Sequence, residues 1–413
     1  MSSNQNLNCD LLVIGSGAGG LSAAVTAAHL GMKVIVLEKE PVYGGTSAWS
    51  GGWLWIPRNF LAQKAGIQED INDPIEYLKN ELGSQFNEEK IRTFLEKGPQ
   101  MVEFFHTHTE LKFLDGNKMP DFHGKTAKAV TGGRSVYAAP FDGKKLGKEL
   151  KRLRQPLDVV SLWGMGIGSG IDMKNFFNAT RSFQSFSYVA KRVLHHFLDL
   201  IIYRQGTQLY NGNALIAALA KTAFDRRVQI LTNVLVKKLM TENGKVSGAV
   251  FQVNDEIIQI TSSRGVVLAC GGFPHDTVRK SVMFSHAPTG EEHHSAATPS
   301  NTGDGIRLGE SVGAVFTSNL HSAAGWAPVS LVPKSDGSFS RFPHLIERGK
   351  PGLIAVKENG QRFTNEANSY YDFMTDLFNS SPKNSTPKSW LICDHSFIKR
   401  WGLGAVKPAP KAI

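Results

Sequence analysis

The hydrophobic positions change pattern several times within the first forty residues. Leu11-Leu12-Val13-Ile14 is a short apolar run that breaks into Gly15-Ser16-Gly17-Ala18-Gly19-Gly20. A small-residue stretch follows from Leu21 to Ala28, and a second apolar run, Val34-Ile35-Val36-Leu37, ends at Glu38. Short apolar runs bounded by glycine read as buried strands, and the longer stretch between them as a helix. The predicted order is strand, glycine turn, helix, strand, acid.

Further along, residues 70–110 carry a helical pattern. Asp73-Pro74 reads as a cap with proline in the first turn, and Phe94, Leu95, Met101, Val102, Phe104 and Phe105 as buried faces. His106 and His108 have no third ligand nearby and read as polar residues at the helix end. Residues 120–137 look loop-like, and Phe141-Asp142-Gly143 reads as a turn. Between Ile171 and Tyr203, the aromatics Phe176, Phe177, Phe183, Phe186 and Phe197 alternate with Lys and Arg. Packing in the core and between domains is expected there, with a lipid-facing or substrate-entry face as the second reading. His195-His196 reads as helix surface and His293-His294 as solvated loop.

Asn211 to Ala220 predicts a cap and a helix, and Val228–Leu231 and Val234–Val236 predict strands. Asn243-Gly244 predicts a hairpin turn. Residues 265–273 predict a buried strand running into a glycine turn, and Thr302-Gly303-Asp304-Gly305 opens a helix with Asp304 as a candidate cap. Gly352-Leu353-Ile354-Ala355-Val356 is a further apolar run, and Asn359-Gly360 a turn.

At 413 residues, 41% of them hydrophobic, the chain can bury a large core and is expected to hold two domains. Cys9, Cys270 and Cys393 lie far apart, so no disulfide framework is expected and a reducing, cytoplasmic setting is. Met1 to Asn6 lacks a basic and apolar leader, and no apolar run approaches a membrane span in length. The net charge is +10, with basic density from Lys144 to Arg154. Without a nucleic-acid motif, that density reads as a solvated helix face, and no nucleic-acid partner is expected.

Chemistry enters with the first fifty residues. Gly15 suits the tight turn, Gly17 lets the backbone approach a pyrophosphate, and Gly20 lets helix and strand pack closely. Ser16, Ala18 and Gly19 complete a helix start whose N–H groups and dipole attract phosphate. Glu38 stands at the offset of an acid that accepts from an adenosine ribose. Lys39, Gly44-Gly45-Thr46-Ser47 and Ser50-Gly51-Gly52 then supply a second small-residue loop. A nicotinamide dinucleotide needs no such loop. A flavin, running on through its ribityl chain, does.

These motifs resemble FAD enzymes of the fumarate reductase and succinate dehydrogenase flavoprotein superfamily. The run Gly45-Thr46-Ser47…Ser50-Gly51-Gly52-Trp53-Leu54-Trp55-Ile56-Pro57 is most similar to the 3-ketosteroid dehydrogenase branch. The resemblance implies an α/β fold, α+β overall: a Rossmann-like FAD-binding domain at 1–298 and an inserted α+β substrate-capping domain at 299–413. It implies FAD contacts at Leu235, through a strand edge, at Ala269, Gly271 and Gly272 in a second nucleotide-side loop, and at Asp304. Cys270 in that loop reads as a small buried residue rather than a redox thiol. A family tyrosine near position 120 has no clear equivalent: Phe122 stands there, with His123 and Tyr137 as substitutes.

The run Arg362-Phe363-Thr364-Asn365-Glu366 is shared across the superfamily. Five residues after its asparagine, fumarate reductases carry a proton-donating arginine. This chain has Tyr370, as ketosteroid dehydrogenases do. A dicarboxylate calls for fixed positive charge, whereas a neutral ring ketone calls for an apolar pocket and a phenol. Tyr370 is therefore the candidate catalytic residue, with Tyr371 the lesser alternative.

The expected function is FAD-dependent 1,2-desaturation of a 3-ketosteroid or similar cyclic ketone. Its partners are a small hydrophobic ketone and an electron acceptor, with peripheral membrane contact as a further reading. Family members continue for roughly a hundred residues into a late glycine-rich loop that polarises the carbonyl. The chain is accordingly expected to be a C-terminally truncated member. Two rivals stand beside this: a fumarate reductase-like enzyme using Arg341, Arg348 or Arg362, and an incomplete FAD-binding fragment without activity. No metal ligand set is expected.

Overall fold

The first fifty residues form the strand–helix–strand unit that their pattern predicts. In a computed structural model of the chain, β1 (Asn6–Ile14) leads through Gly15 into α1 (Ala18–His29), and the chain returns as β2 (Val34–Leu37). The structure describes residues 6–253, 256–382 and 385–409. The leader reading falls largely on residues 1–5, and the chain's last four residues also lie outside the described set.

β1 and β2 pair in parallel, Leu11 opposite Val34 through Ile14 opposite Leu37. The strand Glu256–Leu268 pairs in parallel with the other side of β1, and Gln229–Leu231 pairs in parallel with β2. Two antiparallel strands, Lys245–Val253 and Leu235–Glu242, complete a six-stranded sheet. Their hairpin turns at Asn243 and Gly244, both with positive φ (50° and 74°), as a right-twisting two-residue turn requires. Helix Asn211–Asp225 is buried along nearly its whole length and packs on α1. Leu21, Ala24, Val25, Ile216, Ala217 and Ala220 are sealed from solvent between these helices and the sheet. The strand ending at Leu268 was expected to be buried, but Leu268 is 38% exposed.

The chain divides into two compact units. One comprises the residues up to Pro156, Tyr203–Phe273 and Thr298–Thr317; the other comprises Leu157–Ile202, Pro274–Ala297 and the chain from Ser318. This differs from a single boundary after residue 298. The helix Asp304–Glu310 contacts the strand Leu235–Glu242 of the first unit, while residues 157–202 belong to the second. The second unit contains the hairpins Val329–Pro333/Phe339–Pro343 and Leu353–Val356/Trp390–Cys393, with helices Phe183–Tyr203 and Tyr370–Ser380 among its helical elements.

Several local expectations shift. The helical stretch near residue 70 is two helices, Asn72–Leu82 and Glu88–His108. Asp73 and Pro74 lie inside the first, where the Asp70 carboxylate accepts the N–H of Asn72 at 2.8 Å. Ser135–Ala138 is a strand within the segment expected to be a loop. The basic run forms 3₁₀ turns over Gly143–Arg152 that bury Leu146 and Leu150 and expose Lys144, Lys145, Lys148 and Lys151. Arg152 and Arg154 turn inward instead, toward Glu149 and Glu40 respectively.

The aromatic stretch departs most from its first reading. Helix Phe183–Tyr203 buries Ser185, Arg192, His196 and Asp199 and exposes much of its apolar surface. Arg192 and Asp172 form an ion pair at 3.2 Å, and His196, 2% exposed, lies 2.9 Å from the Trp163 carbonyl through Nε2. Phe183, Leu194, Ile201 and Ile202 are each more than 60% exposed. Packing therefore does not account for this face, and His196 is not surface. Among the described residues, no helix is long and apolar enough to cross a membrane.

Candidate functional site

A cleft of about 320 Å³ opens where β1, β2 and the strand Glu256–Leu268 end. That is the place at which an open parallel sheet receives ligands. Gly15, with φ +104°, makes the turn, and a Cβ there would lie 2.2 Å from the Ala269 carbonyl oxygen. A Cβ on Gly20 would lie 2.0 Å from the Gly15 oxygen, so Gly20 serves close packing and does not line the cleft. Gly19 does line it, and a Cβ there would meet nothing within 4 Å. The first-turn N–H groups of Gly19 and Gly20 have no acceptor within the helix. At the same end, Ser47 Oγ accepts the Ala18 N–H at 3.1 Å.

Glu38 is buried at the end of β2. One of its carboxylate oxygens accepts from both the backbone N–H and the hydroxyl of Ser16, and the other accepts the Glu40 N–H at 3.0 Å. The Ser16 hydroxyl in turn lies 3.0 Å from the Gly44 nitrogen, so the first glycine turn and the second loop are tied through one serine. Lys39 forms an ion pair with Asp304 and donates to Thr302 Oγ1 at 3.0 Å. Gly303, at φ 76°, occupies the cap position of its helix, and Asp304 is the first helical residue rather than the cap. The Thr46 hydroxyl accepts from Thr298 N at 3.1 Å and Asn301 Nδ2 at 2.9 Å.

The cleft is thus lined by Gly15, Ser16, Gly17, Ala18, Gly19, Glu38, Lys39, Gly45, Thr46, Ser47, Leu235, Ala269, Gly271 and Asp304 of the predicted set. Ser50 lines a neighbouring cavity of about 350 Å³ that shares Ala18, Thr46 and Ser47 with the cleft. Gly51, Gly52 and Gly272 line neither. Gly52 packs against the start of helix Asn211–Asp225, where a Cβ would lie 2.6 Å from the Asn211 carbonyl carbon, and Gly272 accepts the Gly303 N–H. Val234, Val236, Ser300, Asn301 and Leu308 join the lining unpredicted. Ser300 and Asn301 stand just before Thr302-Gly303-Asp304, so their adjacency was the available signal. Cys270 lines the cleft too. Burial, followed by the charges of Asp304 and Glu38, pushes its thiol up to about 12, which keeps it protonated and unreactive.

These residues fit FAD. The glycine turn leaves room for a pyrophosphate at unpaired N–H groups, an acid stands at the ribose offset, and hydroxyl-bearing residues continue the path.

The second unit carries Tyr370 as the first residue of helix Tyr370–Ser380, capped by Ser369, whose hydroxyl accepts the Asp372 N–H at 3.0 Å. Burial pushes the phenol above its usual range, and the Arg348 guanidinium opposes that rise. Arg348 is itself 3% exposed and is held by the carbonyls of His344, Glu366 and Asn368. Arg362 makes a two-pronged contact with the Glu366 carboxylate, which also accepts the Ala355 N–H at 2.8 Å. The shared Arg362…Glu366 run therefore works as a clamp on the strand Leu353–Val356. Of the three arginines considered for a dicarboxylate, Arg348 and Arg362 are committed to structure. Arg341 is not: its Nη1 donates to the Phe339 carbonyl at 3.2 Å, and its buried Nε has no partner.

Other candidates take structural places. Phe122 is exposed, His123 pairs with Glu81, and Tyr137 stacks on Trp53 with centroids 4.5 Å apart. His106 Nδ1 accepts the Phe113 N–H at 3.1 Å. His293 is not a solvated loop residue. It lies 3.1 Å from His286 among Phe284 and Trp326, and burial pushes it down to about 3.

Residues 10–404 match the family described as FAD binding domain. The 4-oxocyclohex-2-ene-1-carboxylate 5-dehydrogenase of Sinomonas cyclohexanicum is 34% identical over 98% of this chain and 68% of its own length. The 3-oxosteroid 1-dehydrogenase of Mycolicibacterium smegmatis is 32% identical over 97% of this chain and 70% of its own. Among solved structures, the 3-ketosteroid delta1-dehydrogenase of Sterolibacterium denitrificans in complex with 1,4-androstadiene-3,17-dione superposes with a TM-score of 0.85 at 32% identity. That match covers 97% of this chain and 71% of the other.

Proposed function

The chain belongs to the FAD binding domain family, and from that premise we propose that it desaturates a cyclic ketone beside its carbonyl. It is an FAD-dependent oxidoreductase whose relatives dehydrogenate CH–CH bonds. The observation that carries the ketone reading is Tyr370, a half-buried phenol under the influence of the Arg348 guanidinium, where a dicarboxylate enzyme would carry a cation.

Desaturation removes a proton from the carbon next to the carbonyl and a hydride from its neighbour, leaving a carbon–carbon double bond. The proton goes to the Tyr370 phenolate oxygen. Arg348 supports that phenolate by opposing the effect of burial. When bound, FAD supplies the hydride acceptor, and a separate electron acceptor later reoxidises it. Ser369 and the Arg348 contacts hold the first turn that carries the phenol. In the first unit, Glu38, Ser16 and Ser47 hold the glycine turn in the shape that takes the dinucleotide.

The finer reading is 1,2-desaturation of a 3-ketosteroid or of a smaller ring ketone. Related enzymes named for both kinds of substrate support it. The fumarate reductase-like reading keeps only Arg341 of its three arginines, because Arg348 and Arg362 are engaged by backbone carbonyls and Glu366. The test uses the FAD-loaded chain with a dye acceptor and, in separate assays, a 3-ketosteroid and an oxocyclohexanecarboxylate. Bleaching of the flavin band and dye reduction by at least one of them is expected. Failure of both, with reduction driven instead by succinate, overturns the reading.

A further inference from the structure

The hairpin Val329–Pro333/Phe339–Pro343 of the second unit brings a serine, a histidine and a glutamate into line. Ser330 on its first strand lies directly opposite Phe342. His344 follows Phe342 by two residues and continues the ladder, its N–H donating to the Pro328 carbonyl at 2.9 Å. Strand alternation therefore puts Ser330, Phe342 and His344 on one face. Ser330 Oγ lies 2.6 Å from His344 Nε2, and His344 Nδ1 lies 2.6 Å from Glu347 Oε1. The 3₁₀ turn Glu347–Gly349 returns the carboxylate to the ring, and its Oε2 accepts the Ile346 N–H at 3.4 Å.

The roles follow from what each group can donate or accept. A carboxylate only accepts, so Nδ1 carries the ring proton and Nε2 offers its lone pair to the Ser330 hydroxyl. His344 is 4% exposed, which fixes the ring, whereas Ser330 is exposed and its oxygen can be reached. Gly404 stands against the same edge of the imidazole: a Cβ there would lie 3.3 Å from Cε1 and 3.9 Å from Nε2. The N–H groups of Gly404 and its neighbour Ala405 have no acceptor among the described residues, so donors for a developing oxyanion remain unengaged at this place. A hydroxyl within hydrogen-bond reach of a base, with the base oriented by a third group, is an activated nucleophile. It is recognised by geometry and not by chain order.

We propose that Ser330, His344 and Glu347 form a second reactive centre, separate from the dehydrogenation, in which Ser330 attacks small neutral carboxylic esters. The residues flanking the three favour an uncharged substrate: Phe342 lies across from Ser330, and Leu345 and Ile346 are 41% and 51% exposed. The Ser330 oxygen bonds to the ester carbonyl carbon while His344 Nε2 takes the hydroxyl proton. The carbon–oxygen bond to the alcohol then breaks, and the alcohol leaves with that proton. Water attacks the acyl-serine, His344 takes its proton and returns it to Ser330, and the carboxylic acid departs. Ser330 and His344 are the catalytic residues of this step, and Glu347 is a positioning residue that sets the ring's tautomer.

The experiment uses the FAD-loaded chain with p-nitrophenyl acetate, read as p-nitrophenolate release, and with a fluorophosphonate, read as the mass of the intact chain and of its peptides. Fluorophosphonate is expected to add once, on the peptide containing Ser330, with loss of fluoride. S330A is expected to take no adduct and to lose ester hydrolysis, while its flavin absorbance and dye reduction match the parent's. E347Q is expected to react about 100-fold or more slowly, and E347D, which keeps the carboxylate, to recover part of that loss at an equal or lower Tm. A network that only braces the hairpin would not show this rescue. No adduct, an adduct on another residue, or hydrolysis by S330A equal to the parent's overturns the centre. Labelling of E347Q as fast as the parent does so too, because no oriented base would then exist. Failure of the chain to dehydrogenate any ketone leaves this centre standing.

Discussion

Under the proposed mechanism, Arg348 is the neighbour that would let the Tyr370 phenol serve as a base. Burial alone moves Tyr370 away from the phenolate at neutral pH, and Arg348 is the charge that opposes it. The phenol's pKa is raised by burial, so activity that needs its phenolate rises with pH. Removing Arg348 raises the pKa further and moves that limb to higher pH. R348M is expected to lose roughly tenfold or more of kcat/KM at pH 7 and to recover part of it in alkali. R348K, which keeps a charge, shifts less; a profile unchanged in both variants removes Arg348 from this role. Y370F is expected to lower kcat about 100-fold or more with FAD content unchanged, read from turnover and the flavin absorbance of the same sample. The sequence pointed to Tyr370 through its distance from Asn365. Arg348 appeared there only as a candidate for a different substrate, because its hold on three backbone carbonyls depends on a fold that brings 344, 348, 366 and 368 together.

At the scale of elements, the strand–turn–helix unit was legible because local sequence constrains it directly. Gly15 needs its positive φ, and Gly20 needs the absence of a Cβ. Replacing Gly20 by Ala puts a methyl where only 2.0 Å separates it from a carbonyl oxygen. It should cost about 1–3 kcal/mol or more. A Tm close to the parent's for G20A would show that the turn yields more easily than its geometry implies. Helix Phe183–Tyr203 was less legible. Its aromatic spacing gave an amphipathic helix, but which face lies inward depends on the Arg192–Asp172 pair and the His196–Trp163 contact. The lipid-contact reading of its apolar face predicts that the chain co-sediments with anionic vesicles and that L194S/I201S/I202S does not. Equal retention of both by vesicles sinks that reading without touching the catalytic one.

At the scale of the whole molecule, residues far apart in sequence share one cleft: Gly15–Gly19, Glu38–Lys39, Gly45–Ser47, Val234–Val236, Ala269–Gly271 and Ser300–Asp304. Motif spacing identified the first three groups. The last three depend on resemblance, and Ser300 and Asn301 are marked in the sequence only by standing next to Thr302-Gly303-Asp304. A single boundary after residue 298 follows from motif order along the chain, which carries no information on contacts between distant segments. The contacts instead return the helix Asp304–Glu310 to the first unit, against the strand Leu235–Glu242. A cleft lined in this way would give FAD a distributed footprint. A ligand held at a saturating 100-fold excess over its Kd adds about 2.7 kcal/mol to the folded state it binds. Hydrogen exchange should therefore slow on FAD addition in all six stretches at once, including 234–236 and 300–304, which lie outside the glycine motif. The hairpin Val329–Pro333/Phe339–Pro343 belongs to the other unit and contributes nothing to this cleft, so it should exchange as before. Protection confined to 15–21 would mean that the nucleotide is held by the glycine turn alone. The contacts among Lys39, Thr302 and Asp304 would then serve only to close the fold on itself.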